Sequence, residues 1–283
     1  MKAFLSLTRF DNSLFASSAV IVSGILSRDL TGLQIDYVIG VVVILVLSMA
    51  TFAINDYYDY KADKTNNRVD RPLVQGLTKR KSALLLGLVL FIAAFMVSLF
   101  LNRVTSLFVV VHFPLLFLYS YFKRILLLKN VIVAYGFAAV VVFGSIISDT
   151  TLEPLVVYFA VMAFIVGLAV EIMIDIADVE GDERTGVITL PVRFSRRGAA
   201  EISVVLYMII VVLDPLPLFV KIDSALYRDI MFFVLIMVPV ISYVLVSASL
   251  LKNHSVTNIL KLKGRIISIM QFGTLAYVIG VLI

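Results

Sequence analysis

Nine stretches of this sequence are each apolar and long enough to cross a lipid bilayer, and they constrain the fold more than any other feature. A spanning helix needs about 20 predominantly apolar residues. Such stretches occupy residues 12–28, 37–57, 82–101, 104–122, 130–148, 153–175, 199–220, 229–251 and 265–283. Hydrophobic residues make up 61% of the 283 positions and charged residues only 15%. A typical soluble domain has about 45–50% and 25%. A globule of this size cannot hide that much apolar side chain inside itself, so lipid must solvate part of it. The expected fold is an all-α integral membrane protein of nine transmembrane helices, forming one domain over residues 1–283. The first stretch is not a cleavable signal peptide, because it lacks a basic run ahead of it and eight further spans follow. The seventh is interrupted near its end by Pro215 and Pro217.

The basic residues orient the spans. Twenty of the 24 Lys and Arg fall at the N-terminus or in the 2–3, 4–5, 6–7 and 8–9 loops. Only Arg28, Arg103, Lys221 and Arg228 fall on the other side. Under the positive-inside rule this split requires an odd number of spans, with the N-terminus cytoplasmic and the C-terminus outside. The same rule accounts for the net charge of +5, so nothing here calls for nucleic acid, and no obligatory protein partner is evident. With no cysteine, disulfide scaffolds, thiolate metal sites and cysteine nucleophiles are excluded. Two histidines, His112 and His254, are too few for a histidine zinc centre.

The acidic residues are unevenly spread. Ten of the 19 lie in two windows: Asp56, Asp59, Asp63 and Asp70, then Glu171, Asp175, Asp178, Glu180, Asp182 and Glu183. Asp56, Asp59 and Asp63 are spaced i, i+3, i+7, and so are Asp175, Asp178 and Asp182, each 119 positions on; Pro72 and Pro191 repeat the offset. This has the form of an internal duplication of a helix-end motif. On a helix such residues share one face, and Asn55 joins the first set four positions before Asp59. Three carboxylates on one stripe repel one another, so a stable arrangement needs cations. Oxygen ligands without His or Cys suit Mg²⁺ or Ca²⁺, and Mg²⁺ is usually held by one or two carboxylates together with substrate phosphates. Two facing clusters would then hold about two Mg²⁺ ions and a diphosphate between them. Carboxylates at a membrane boundary are costly and tend to be functional.

Basic residues close to the clusters fit the same chemistry. Arg68 and Arg71 follow the first, Arg184 follows the second, and Lys123 and Arg124 end the fourth span. A diphosphate leaving group gains negative charge as its C–O bond breaks, and Lys, Arg and Mg²⁺ stabilise that charge.

At these residues the chain resembles the UbiA superfamily of intramembrane prenyltransferases. The resemblance rests on the NDxxDxxxD run beginning at Asn55, the DxxDxxxD run beginning at Asp175, Arg9 and Asn12 entering span one, and Arg71-Pro72. It extends to Tyr119-Ser120 with Lys123-Arg124, and to Asp178-Val179-Glu180-Gly181-Asp182 followed by Thr189-Leu190-Pro191. It implies helices around a central cavity, cytoplasmic cap loops that carry the motifs, and Mg²⁺-dependent transfer of a polyprenyl group from its diphosphate to a lipophilic acceptor. Within the superfamily, the run from Asp178 to Pro191 is most similar to archaeal enzymes of membrane lipid synthesis that attach a second geranylgeranyl chain to geranylgeranylglyceryl phosphate. Where that subfamily often has Arg and Lys before its motif carboxylates, this chain has Val170 and Ile174, and Val69 stands where Pro is common.

On this reading Asn55, Asp59 and Asp63 hold one Mg²⁺, and Asp175, Asp178 and Asp182 the other. Asp56, about 100° round the helix from Asn55, is either a further ligand or the partner of a neighbouring group. Arg71 and Lys123 contact the diphosphate, while Tyr119, one turn before Lys123, presents its ring to an allylic carbocation. Asn12, Arg9, Arg68 and Arg184 are the remaining candidates for substrate binding. Turnover is expected to depend on Asp59, Asp63, Asp178, Asp182 and Tyr119. Prenylation of an aromatic quinone precursor by the same machinery is the enzymatic alternative. A cation transporter is the alternative of another class, though it would want its carboxylates at mid-span.

Overall fold

The structure, a computed structural model, describes Lys2 to Ile283 except Thr31, Leu33, Asn66, Asn67, Asp70, Lys123 and Arg124. The side chains of Lys2, Phe113, Pro114, Leu116, Phe117, Leu118, Ser120 and Tyr121 are also outside the description. Among the described residues all regular structure is helical. In chain order the helices are α1 (Lys2–Leu7), α2 (Phe10–Leu26), α3 (Ile35–Thr65), α4 (Arg80–Ser98), α5 (Arg103–Phe122) and α6 (Leu128–Ser145). There follow α7 (Pro154–Thr185), α8 (Leu190–Arg193), α9 (Arg196–Leu213), α10 (Ile230–Lys252) and α11 (Val256–Leu282). Each of the nine apolar stretches coincides with a helix, leaving only the short α1 and α8 without one. Seven of those helices are long and apolar enough to cross a membrane; α2 and the described apolar part of α5, Arg103–His112, are shorter. Leu85, Val89, Ile92 and Met96 form an exposed apolar stripe along α4, a surface suited to lipid rather than water.

The lengths of two helices position everything that follows. α3 has 31 residues and α7 has 32. About 20 suffice to span, so each is roughly three turns, about 16 Å, longer than one crossing needs. The apolar stretches end at 57 and 175, whereas the helices continue to Thr65 and Thr185, with both acidic motifs inside them rather than in loops. α7 stops at Gly186, whose φ of +71° is left-handed, and Val187 N–H closes the end by donating to Asp182 O at 3.0 Å. Three helices intervene between α3 and α7, so four chain reversals bring the two parallel. Their C-terminal ends, and hence both motifs, lie on one face of the bundle.

Packing divides into two main cores. The larger gathers Ile172, Met173 and Ile176 of α7 with Tyr207 of α9, Phe232 and Ile236 of α10, and Ile266 of α11. The smaller joins α2, α3, α5 and α6 through Val20, Tyr37, Ile44, Val109 and Phe143. In this second core a Cβ on Gly144 would stand 2.8 Å from Val20 O, so α6 and α2 touch backbone to backbone. Ser23 Oγ donates to Val141 O at 2.5 Å across the same contact, the small-residue packing and interhelical hydrogen bonding expected where lipid supplies no hydrophobic drive.

The seventh apolar stretch was read to residue 220, but α9 ends at Leu213 and a 3-10 turn follows over Leu216–Leu218. The prolines withdraw backbone donors there, and tyrosine hydroxyls take two of the freed carbonyls. Tyr158 donates to Leu213 O at 2.5 Å and Tyr277 to Asp214 O at 2.9 Å.

Candidate active site

The first motif is set by its most buried member. Asp56, 1% exposed, receives Arg9 Nη2 at 2.8 Å and has Arg71 Nη1 at 3.5 Å. Arg9 caps α2 from a left-handed backbone at φ 43°, an uncommon conformation for a residue with a Cβ. That turn separates α1 from α2 and places the guanidinium over the Phe52 ring, 4.6 Å from its centroid, and against Asp56. Burial draws the Arg9 pKa below its ordinary value, Arg71 adds to the effect, and Asp56 opposes both. Arg71 also reaches Asp63, Nε to Oδ2 at 3.7 Å, so one guanidinium spans the first and last carboxylates of the motif. Asn55 Oδ1 and Asp56 Oδ2 are buried without a hydrogen-bond partner among the described residues.

The second motif has the same gradation. Asp175 is buried and saturated: Lys129 Nζ donates to Oδ1 at 2.6 Å and Asn130 Nδ2 to Oδ2 at 2.8 Å. Asp178 is half-buried, with Arg68 Nη1 at 3.5 Å. Asp182 is buried, with the Thr189 hydroxyl near it, and its Oδ2 has no partner at bonding distance among the described residues. The Arg68–Asp178 pair joins the segment after α3 to the end of α7, so the two motifs face one another across it. Tyr119 stands between them, within electrostatic reach of Asp59 on one side and Glu171 and Asp175 on the other.

The structure therefore brings together Asn55, Asp56, Asp59, Asp63, Asp175, Asp178, Asp182, Arg9, Arg68, Arg71 and Tyr119. It leaves two expected residues apart. Arg184 is exposed on the last turn of α7 and pairs with no carboxylate among the described residues. Asn12 is exposed on the first turn of α2, and its side chain makes no hydrogen bond among the described residues. Lys123, expected at the diphosphate, lies outside the described residues, as do Arg124 and Asp70. Three residues at the site went unassigned in the sequence. Lys129 was counted only as part of a cytoplasmic loop, Asn130 as the start of a span, and Glu171 as one more acid in its window. The usable signal was a polar pair, Lys-Asn, opening an otherwise apolar helix.

These groups fit a hard divalent cation. Asn55 Oδ1, Asp56 Oδ2 and Asp182 Oδ2 are buried acceptor oxygens without a hydrogen-bond partner at bonding distance among the described residues, the kind of group Mg²⁺ or Ca²⁺ takes, and the Thr189 hydroxyl stands near Asp182. Among the described residues no three Asp, Glu, His or Cys side chains are grouped closely enough to hold an ion unaided. An ion here would draw further oxygens from a ligand, as Mg²⁺ does when it bridges a protein and a phosphate.

Long parallel helices that present paired acidic motifs beside arginines define a membrane protein with a charged site at one end of its helix bundle. The chain belongs to the UbiA prenyltransferase family, whose profile matches residues 17–269, and it is a prenyltransferase. It is 33% identical over 220 residues to digeranylgeranylglyceryl phosphate synthase of Archaeoglobus fulgidus, covering 77% of this chain and 75% of that one. To the synthase of the same name from Methanosphaera stadtmanae it is 28% identical over 275 residues, covering 96% and 98%. A solved structure concerned with digeranylgeranylglyceryl phosphate synthase in membranes superposes with a TM-score of 0.76 at 27% identity, covering 99% and 98%. A UbiA homologue from Archaeoglobus fulgidus, solved with GPP and Mg²⁺, shares the fold at a TM-score of 0.69 and 16% identity over 97% and 99%.

Proposed function

We propose that this prenyltransferase moves a geranylgeranyl group from its diphosphate to geranylgeranylglyceryl phosphate, with Mg²⁺, in archaeal membrane lipid synthesis. The observation that carries the reading is the meeting of two acidic motifs, on the parallel ends of α3 and α7, across the Arg68–Asp178 pair. The relatives that are digeranylgeranylglyceryl phosphate synthases support the acceptor, and the Mg²⁺ bound by a homologue of the same fold supports the metal. The chain crosses the membrane nine times as a single domain, with its N-terminus cytoplasmic and its C-terminus outside, and the site opens to the cytoplasm.

Asn55, Asp59 and Asp63 on one side, and Asp178 and Asp182 on the other, would hold the metal, about two ions in all. When bound, Mg²⁺ neutralises the charge that grows on the leaving diphosphate. Arg71, Arg68 and Lys123 orient the same group through charge-assisted hydrogen bonds. The allylic C–O bond breaks with its electron pair going to the diphosphate, and the acceptor hydroxyl oxygen forms the new C–O bond and releases its proton. Tyr119 faces the positive charge that develops on the allyl group. The apolar walls of the helices exclude the water that would otherwise capture it.

The test is an assay of membranes containing the protein with labelled geranylgeranyl diphosphate and a panel of acceptors. Geranylgeranylglyceryl phosphate is expected to be labelled and aromatic quinone precursors to remain unlabelled. Labelling of an aromatic acceptor alone would transfer the proposal to the alternative.

A further inference from the structure

Lys129 and Asn130 are consecutive residues at the start of α6, and both aim at one carboxylate. Leu127 makes this possible: its left-handed backbone, φ 66°, turns the chain sharply into α6. The next turn then presents Lys129 Nζ to Asp175 Oδ1 and Asn130 Nδ2 to Asp175 Oδ2, 2.6 and 2.8 Å away. The lysine side chain is 12% exposed and the aspartate 3%. Both carboxylate oxygens thus have a donor already, whereas Asp182, two turns along the same helix, has no cation at bonding distance among the described residues; its polar neighbour is the Thr189 hydroxyl. An ammonium has three N–H donors, and Asp175 occupies one. Lys129 lies within electrostatic reach of Tyr119 and of Asp182 as well, so its charge acts on the second motif beyond Asp175.

The first motif repeats the pattern. Asp56 occupies the position of Asp175 and receives Arg9, again a cation from a distant part of the chain. In each copy the leading aspartate is the most buried of the three and is already bound to a cation.

We infer that Lys129 is a resident cation of the diphosphate site: Asp175, braced by Asn130, holds its ammonium toward the diphosphate. Asp175 is therefore a positioning residue rather than a metal ligand, and the divalent cation at this motif is left to Asp178 and Asp182. The inference rests on the proposed Mg²⁺-dependent transfer and deepens it.

The experiment uses the full-length protein in detergent with Mn²⁺ as the spectroscopic probe and geranylgeranyl S-thiolodiphosphate as a slowly reacting diphosphate. Electron paramagnetic resonance reads bound Mn²⁺, and a competition assay at saturating Mn²⁺ reads thiolodiphosphate affinity. Asp182→Asn is expected to weaken Mn²⁺ binding about tenfold or more, while Asp175→Asn stays within about threefold of native, because only the former removes a charged ligand. Lys129→Met is expected to weaken thiolodiphosphate binding about tenfold with Mn²⁺ binding retained, and Lys129→Arg to recover most of it, the weight of one charge-assisted hydrogen bond. The double variant Lys129→Met/Asp175→Leu removes both charges and leaves no buried ion unpaired, so it answers the same question should either single variant fold poorly. If Asp182→Asn leaves Mn²⁺ binding untouched, the metal reading falls and the inference with it. If Asp175→Asn loses Mn²⁺ as Asp182→Asn does, the metal reading stands and the inference is overturned. Native thiolodiphosphate affinity in Lys129→Met, or in the double variant, overturns it too.

Discussion

Asp56 and Asp175, 119 positions apart, occupy the same place in two copies of one acidic pattern, and each is bonded to a cation from elsewhere in the chain. Arg9 lies 2.8 Å from the one and Lys129 2.6 Å from the other. The outer carboxylates of each copy are bound less tightly: Arg71 is 3.7 Å from Asp63 and Arg68 3.5 Å from Asp178. Under the proposed function this division separates residues that hold the site together from residues that would meet the ligand.

Asp59→Ala, Asp63→Ala, Asp178→Ala and Asp182→Ala are each expected to lower prenyl transfer by on the order of 10²-fold, because each removes a group that stabilises charge growing in the transition state. Folding survives, since relief of carboxylate repulsion offsets the lost contacts. Asp149→Ala and Asp223→Ala, on the opposite face, leave turnover nearly unchanged. Prenyl transfer measured at saturating Mg²⁺, with thermal melts alongside, checks all six; near-normal rates in the first four would place the active site elsewhere.

Removing divalent cations is expected to abolish binding of geranylgeranyl diphosphate, and Mg²⁺ or Mn²⁺ to restore it. The proposed donors are oxygens alone, and two of them, Asn55 Oδ1 and Asp182 Oδ2, are buried without a hydrogen-bond partner at bonding distance among the described residues. Titration of the diphosphate into purified protein with and without excess chelator measures this, and equal affinity in the two would refute metal bridging.

Asp56→Ala behaves differently from its neighbours in the motif. It leaves Arg9 and Arg71 facing one another in a buried space, and breaking a buried ion pair costs about 3–5 kcal/mol. A clear fall in melting temperature is expected in detergent, with none for Asp149→Ala. An unchanged melt for Asp56→Ala would mean that the Arg9 contact contributes little to stability.

Gly144→Leu tests the packing of α2 against α6. A Cβ at that position already stands 2.6 Å from the Ser23 Cβ and 2.8 Å from Val20 O, so the helices must move apart. Overpacking of this kind costs about 1–3 kcal/mol. Gly136→Leu on the same helix, where a Cβ meets nothing within 4 Å, is the control and leaves the melting temperature close to native.

Topology follows from the distribution of basic residues. A tag on the N-terminus is expected to be accessible from the cytoplasm only, and a tag on the C-terminus from outside only. Both tags on one side would require an even number of crossings.

Where the helices lie was legible from the sequence, because length sets it: a span needs about 20 apolar residues at 1.5 Å each, whatever their neighbours are. Which residues share a helix face was legible too, since i, i+3 and i+7 align on any helix, and both acidic runs lie on helices as that spacing required. Where each helix ended was less so. α3 and α7 continue past their apolar stretches because water accepts polar side chains on a helix as readily as in a loop. α9 stops short of its apolar stretch because Pro215 and Pro217 withdraw donors, and two tyrosines from other helices take up the carbonyls.

The sequence alone determined that six aspartates would stand in two matched rows at helix ends, a consequence of local periodicity. Only the tertiary structure decided which of them are already neutralised. Arg9 reaches Asp56 across 47 positions and Lys129 reaches Asp175 across 46, each from a helix boundary with a left-handed residue. Charge pairing acts through space, and the few ångströms that separate a saturated carboxylate from an open one are set by how α2 and α6 pack against α3 and α7, which no spacing along the chain records.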